Sequence, residues 1–371
     1  MTTTSRTATS PTGTSRTGQV DPAPGAPEVT AFLDEFFTRQ EARAQSYDEP
    51  YRSLWRWIAD AARGGKRLRP ALVLLTHRHL AGPATTAESG DVVRLAAAFE
   101  LLHTAFVIHD DVIDRDLLRR GRANVEGQAI VAAIDAGAGD DRAAGYGRAA
   151  AILAGDLLIS AAHRLVAGVS LPPRRREVLL DLVDDCVHRA AAGEHADVWS
   201  SMVAPADQQV VLETVANKTA AYSFGAPLQA GALMAGATAD VRARLGQVGR
   251  HLGIAFQLRD DVLGVFGAEH VTGKSSTGDL REGKETLLIG HARHDPAWRD
   301  VAVLFGRPDL DADGAARLRT VIRDSGALEQ VERHIADNVD AARALIAGLA
   351  VPAGLRQQLL QLSGVVGERW R

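Results

Sequence analysis

Residues 99–121 read FELLHTAFVIHDDVIDRDLLRRG, and this stretch decides how the rest of the chain is to be understood. Between Leu101 and Ile108 it is mostly apolar, so the helix it forms is buried just before its acids. Asp110 and Asp114 then stand at i and i+4. Both carboxylates leave one helical face about one turn apart, with Asp111 beside them. Like charges this close repel, and in an apolar helix they need a compensating cation. A hard divalent ion such as Mg²⁺ takes one or two carboxylates, with phosphate oxygens and waters filling the shell. A solvated acidic helix end is the plain alternative, and the apolar run argues against it. His103 lies two turns before Asp110 on the same face.

The pattern repeats further along the chain. Phe256-Gln257-Leu258-Arg259-Asp260-Asp261 follows the apolar run from Leu252 to Ala255, and places Gln257 on the face of the acids. Two acid pairs, each ending a buried helix, imply a cavity with carboxylates facing each other. Such a cavity suits a ligand whose negative oxygens are bridged by several metals.

The cations complete this picture. Lysine plus arginine total 42, yet only Lys66, Lys218, Lys274 and Lys284 are lysines. A codon bias accounts for the arginine total, but not for where the lysines stand. Each lies in a segment notable on other grounds, and lysine is a compact point charge unlike arginine's planar fork. Gly64-Gly65-Lys66-Arg67-Leu68-Arg69-Pro70 places Lys66 and Arg69 near the opening of a helix. Arg119 and Arg120 follow the first acid motif. Lys218-Thr219 lies mid-helix, one turn before Tyr222. Lys274 and Lys284 flank the polar loop TGDLREG at 277–283. Singly these are solvated charges; together they supply charge-assisted donors for two phosphate-bearing ligands. No Walker-type loop and no G-x-G-x-x-G after a strand is present, which argues against a nucleotide.

The remaining sequence is helical in pattern. Val29, Phe32, Leu33, Phe36 and Phe37 keep an amphipathic period, and similar patterns cover Leu54 to Ala62, Val92 to Asp114, Ala149 to Val166, Val178 to Ala192, Val210 to Ala235, Val241 to Val265 and Leu328 to Leu349. Gly64-Gly65, Gly137 to Gly147, Leu171-Pro172-Pro173 and Arg307-Pro308 are expected turns, and Pro227 should kink its helix. No convincing alternating strand or fixed-period repeat is present. Residues 1–27, rich in Thr, Ser, Gly, Ala and Pro, form an expected disordered tail, which leaves one all-α domain over 28–371, larger than a four-helix bundle.

Composition narrows the function further. With 46% hydrophobic and 24% charged residues the chain is globular and not wholly disordered, and a net charge of −4 argues against nucleic acid as its main partner. The longest uncharged stretch, Thr219 to Ala239, carries Ser223, Pro227 and Gln229 and reads as a buried helix, so no transmembrane segment is expected. Cys186, the single cysteine, allows neither an internal disulfide nor a multi-thiolate zinc site, so a reducing cytoplasm is the expected setting.

Six ordered motifs resemble the trans-polyprenyl diphosphate synthases, the polyprenyl synthetase family. They are Gly65 to Pro70, Glu100 to Gly121 with its DDxxD, Gly193-Glu194-His195-Ala196-Asp197, Lys218-Thr219, Phe256 to Asp261, and Lys274 through Lys284. The resemblance implies an all-α isoprenoid synthase fold, a large helical bundle around a central cavity, as a homodimer. It implies that Asp110 and Asp114 hold one set of Mg²⁺, and Asp260 with Asp261 the other, three ions per site in all. Lys66, Arg69, His103 and Arg120 resemble a clamp on isopentenyl diphosphate. Arg119, Lys218, Thr219, Gln257, Lys274 and Lys284 resemble the allylic diphosphate site. Three departures stand out: Gly264 replaces the last aspartate of the second motif, Glu194 replaces a frequent glutamine, and Arg122-Ala123-Asn124 replaces Arg-Pro-Thr.

The implied reaction is a head-to-tail condensation of the two diphosphates. A class I terpene cyclase would need no second diphosphate site, and a non-catalytic regulatory subunit would have lost the acids or the cations of the site, whereas both remain here. Product length depends on the residues below the first acid motif. Phe106 is at i−4 from Asp110, about 6 Å down the axis, and its neighbour Ala105 is small. In the family two aromatics at these positions go with C15 product and none with long chains. One aromatic and one alanine imply C20, geranylgeranyl diphosphate, with C15, farnesyl diphosphate, as the alternative.

Overall fold

The acid-bearing helix is the long element around which the others are arranged. The computed structural model describes residues 26–81, 86–203, 205–267 and 277–368; most of the expected tail, and Lys274, lie outside them. Helix α4 (Thr86–Asp114) packs against α1 (Ala26–Ala44), α3 (Leu68–Ala81) and above all α6 (Asp140–Ala167). Its inward residues Leu95, Leu101, Leu102 and Ala105 are buried, as are Ala151, Ala154, Leu158 and Ala162 of α6. Small side chains along this seam let the two helices approach closely, and dense packing of this kind is what a protein core requires.

Helix α2 (Glu49–Ala62) starts on the N-cap Asp48, whose side chain accepts from the Tyr51 amide. A two-residue ladder, Leu118–Arg119 with Arg122–Ala123, follows α4 and is the one sheet among the described residues. It leads into α5 (Val125–Asp135), where Asn124 is the N-cap and accepts from Gly127 N at 2.9 Å. The departure at Asn124 therefore keeps a capping side chain. Residues 140–147, expected as part of a glycine-rich turn, are instead the first turns of α6. Gly147 presses on Ile130 and on the Glu126 carbonyl of α5, where a Cβ would lie 2.5 Å from the Ile130 side chain, so helix packing claims this glycine.

Helix α7 (Pro173–Met202) and α8 (Gln208–Val215) lead to Ala216–Gly225, a π-helical segment, and then α9 (Ala226–Met234). Just before Pro227, where the sequence predicts a kink, the helix widens: the Ala226 amide reaches back five residues to the Ala221 carbonyl, and the proline, which lacks an amide to donate, stands in the first turn of α9. Beyond lie α10 (Ala239–Phe266), α11 (Gly278–Glu282), α12 (Leu287–Ala292), α13 (Trp298–Val301), α14 (Ala312–Asp324), α15 (Ala327–Ala347) and α16 (Ala353–Glu368). The core has two parts, one drawn mostly from α1–α7 and the other from α8 onward. The cavity lies where they meet.

Among the described residues two stretches are long and apolar enough to cross a membrane by length and composition alone, Gly90–Asp114 and Asp140–Ala167. The first has 67% of its most apolar window buried inside the bundle and the second 39%. Helix α6 thus keeps a largely open apolar face, with Tyr146, Ile152 and Leu153 exposed.

Candidate active site

A cavity of about 1130 Å³ opens between α3, α4, α6, α7, the π segment, α10 and α11. It brings together Lys66, Arg69, His103, Phe106, Asp110, Arg120, Lys218, Thr219, Gln257, Asp260, Asp261 and Lys284. These residues span more than 200 positions of chain, and the fold gathers them at one place.

At the first acid motif, Lys218 Nζ sits 3.2 Å from Asp110, 2.8 Å from Glu194 and 2.7 Å from Asp197. Gly193 makes this possible: a Cβ there would lie 2.3 Å from the Lys218 amide, so only glycine lets α7 and the π segment touch at this level. Burial pulls the Lys218 ammonium down, but the three carboxylates outweigh it and hold the group above the ordinary lysine range. Burial likewise pushes Asp110 up, while Lys218, Lys284 and Arg119 together bring it below its usual value. Asp114, at the exposed end of α4, is pushed up to about 7 by desolvation and by repulsion from Asp110.

Around the second motif, Gln257 Nε2 donates to Asp261 at 3.0 Å. Asp261 is buried, and desolvation pushes it up to about 6 although Lys284 pulls the other way. Burial pulls Lys284 down, yet Asp279 and Asp261 hold it above the usual range.

The expected isopentenyl clamp is gathered along one wall. Gly64 and Gly65 take φ of +79° and +81°, a turn that a side chain would strain. The Arg120 guanidinium lies over both, 3.3 and 3.4 Å from where their Cβ atoms would be. Arg69 donates to Ser223 Oγ at 2.7 Å and stacks 4.8 Å over the Tyr222 ring. Tyr222 Oη lies 3.4 Å from His103 Nδ1. Burial first, and then the surrounding arginines, hold His103 well below its usual value, so it is neutral at pH 7. A further pair, Arg67 to Glu100 at 2.7 Å with both side chains under 10% exposed, fixes α3 against α4 behind this wall.

Three expectations change. Ala105 is fully buried in the core and is not among the cavity's lining residues, because its Cβ points into the α4 packing. Arg119 is bound to Asp111 through Nε at 2.8 Å and also lies outside the lining, so its charge serves that aspartate. Asp114 stands just past the lining at the helix end. Glu194 and Asp197 belong to the site beyond the expected residues; their i, i+3 spacing on a helix is the sign in the sequence that both face one cation. Asp279 lines the cavity too, and no regular spacing marks it.

The donor set suits a hard cation. It consists of oxygens only, and Glu194 Oε1 is buried without a hydrogen-bond partner. Among the described residues no three His, Cys, Asp or Glu side chains converge to hold a metal by themselves. One or two carboxylates with ligand phosphate oxygens and water would complete the shell, which is how Mg²⁺ is commonly bound. Asp110 on one side, and Asp260 and Asp261 on the other, are placed for this.

Residues 54–312, well over half of the chain, match the family model for polyprenyl synthetase. The chain belongs to the polyprenyl synthetase family. It is a prenyltransferase of the isoprenoid synthase fold, and among its relatives is the geranylfarnesyl diphosphate synthase of Aeropyrum pernix, 36% identical over 304 residues that cover 81% of this chain and 88% of that one. The geranylgeranyl diphosphate synthase of Methanosarcina mazei is 32% identical, over 75% of this chain and 77% of its own. Among solved polyprenyl synthetases, the geranylgeranyl pyrophosphate synthase of Corynebacterium glutamicum, complexed with isoprenyl diphosphate and magnesium, superposes with a TM-score of 0.86 at 27% identity, over 95% of this chain and 100% of that one.

Proposed function

We propose that this polyprenyl synthetase condenses isopentenyl diphosphate with an allylic diphosphate, head to tail and with Mg²⁺, and that its product is geranylgeranyl diphosphate. The observation that carries this is one cavity holding two facing acid motifs and two separate groups of cations. Lys66, Arg69, His103 and Arg120 bind the isopentenyl diphosphate. Lys218, Thr219, Gln257, Lys274 and Lys284 bind the allylic diphosphate. Mg²⁺, three ions per site, supplies further charge stabilisation to the leaving diphosphate when bound to Asp110, Asp114, Asp260 and Asp261.

The side chains favour departure of the leaving group. As the C1–O bond of the allylic substrate breaks, negative charge grows on the diphosphate, and the partly buried ammonium groups of Lys218 and Lys284, both lining the cavity, stabilise it. The isopentenyl double bond attacks C1 of the allylic cation, and the new cation loses a proton to the departed diphosphate. Water is kept from the cation by the apolar wall below, formed by Phe106, Val107, Ile159, Val187 and Ala190.

Phe106 supports the C20 assignment. Its ring stands edge-on to Tyr222 at 4.9 Å and projects into the cavity one turn below Asp110, leaving Ala190 and Ala191 to line the open side. The enzyme works as a homodimer through the exposed apolar faces of α5 and α6, where Val131, Ile134, Tyr146, Ile152 and Leu153 lie, and in the cytoplasm, as befits a single buried cysteine. Purified protein incubated with Mg²⁺, isopentenyl diphosphate and each allylic primer should give geranylgeranyl diphosphate; a C15 or C25 product would correct the length, and no condensation would refute the reading.

A further inference from the structure

The second acid motif lacks the carboxylate that position 264 would carry, and another residue stands in its place. A Cβ built on Gly264 would lie 1.9 Å from Asp279 Oδ2 and 2.8 Å from its Cγ. No side chain fits at 264 while Asp279 keeps this position. Gly264 is therefore the space into which the Asp279 carboxylate fits.

The carboxylate belongs electrostatically to the motif. Asp279 lines the cavity with Asp260, Asp261 and Lys284. It is the largest of the charges that raise Lys284, and it adds to the repulsion that raises Asp261. Its backbone is fixed as well. The Asp279 carbonyl accepts from the Gly283 amide at the end of α11, and from Lys284 N at 3.0 Å. One short turn thus presents a carboxylate and an ammonium to the same acids.

We propose that Asp279 is the third carboxylate of the second metal motif, supplied from α11 instead of from α10, and that Gly264 is the complement that admits it. This rests on the diphosphate-condensing function proposed above. Asp279 acts as a positioning residue, orienting Lys284 and the hydrated side of the cation that Asp260 and Asp261 would hold.

Calorimetric titration of Mg²⁺ into the full-length protein, saturated with a non-reactive allylic thiodiphosphate, tests this separately from turnover. Asp279→Asn, which keeps the shape, should weaken Mg²⁺ binding about 10- to 100-fold, the usual cost of losing a partner behind a metal ligand. Gly264→Asp alone should weaken it also, because two carboxylates then compete for one space. The double variant Gly264→Asp/Asp279→Gly should recover binding to within about threefold, roughly 0.65 kcal/mol, of the unaltered protein. Asp279→Asn binding Mg²⁺ like the unaltered protein would overturn the proposal, as would a double variant that melts normally yet does not recover. If the unaltered protein itself shows neither condensation nor Mg²⁺-dependent binding of the analogue, the functional reading falls and the proposal with it.

Discussion

The two acid motifs look alike in sequence and differ in how the fold neutralises them. Each has a phenylalanine one turn before its first aspartate, Phe106 before Asp110 and Phe256 before Asp260, and each phenylalanine meets an aromatic ring of the π segment, Tyr222 at 4.9 Å and Phe224 at 5.4 Å. The first motif is held by cations that touch it: Lys218 on Asp110 and Arg119 on Asp111. In the second, the buried Asp261 is held by an amide, Gln257, and by Lys284 acting through space. The same local chemistry is therefore met by direct ion pairs at Asp110 and Asp111, and by an amide with a charge acting through space at Asp261.

The largest expected effect tests that asymmetry. Asp110→Ala and Asp260→Ala should each remove most turnover with the helical circular-dichroism signal unchanged; near-full activity in either would break the pairing of the motifs. Lys218→Ala should lower turnover by about 10²–10³-fold, the usual loss on removing a donor aimed at developing charge. It also leaves Asp110, Glu194 and Asp197 facing one another, so the metal-free melting temperature should fall. Lys284→Ala should lower turnover less. Equal losses in single-turnover assays would show that both ends are neutralised alike.

The cation groups are sharpened by Arg69→Ala. It should raise the Michaelis constant for isopentenyl diphosphate about tenfold or more, a charged hydrogen bond being worth about 1.5–3 kcal/mol, with little change for the allylic primer. A shift of the primer's constant instead would exchange the two sites.

Phe106 and Phe256 compare the regions below the motifs. The apolar wall, with Val107, Ile159, Val187 and Ala190, lies on the Phe106 side. Phe106→Ala should therefore give products at least one C5 unit longer, while Phe256→Ala should only cost stability, about 3–5 kcal/mol or less for a side chain that is partly exposed. Product sizing and urea melts of both variants separate these outcomes. Ala105→Phe should not shorten the product as a floor residue would, since Ala105 lies in the core and the added ring must displace packed atoms.

The smallest effect concerns proton uptake. Asp114 is raised from 3.8 to about 7 in the folded chain. A carboxyl with a raised folded value loses stability as pH climbs from its unfolded to its folded value, because the unfolded chain gives up the proton first. Metal-free Asp114→Asn should thus melt above the unaltered protein at pH 8 and match it near pH 3.5. A constant difference across that range would mean that the aspartate is not strained.

The sequence by itself determined the helices, the two acid motifs and the cations that serve them, because these depend on spacing within one or two turns. Lys66, Arg69, His103, Asp110, Lys218, Gln257, Asp260, Asp261 and Lys284 were all legible and all reach the cavity. Only the tertiary structure decided what crosses between elements. It bound Arg119 to Asp111, turned Ala105 into the core and changed the expected glycine-rich turn at 140–147 into helix. It also set Glu194 and Asp197 on Lys218 and put the Asp279 carboxylate in the space beside Gly264. Spacing along a helix fixes direction to within one face, whereas contacts between distant segments depend on how close two backbones can come. At Gly193 and Gly264 that closeness comes from an absent side chain, which no periodicity records.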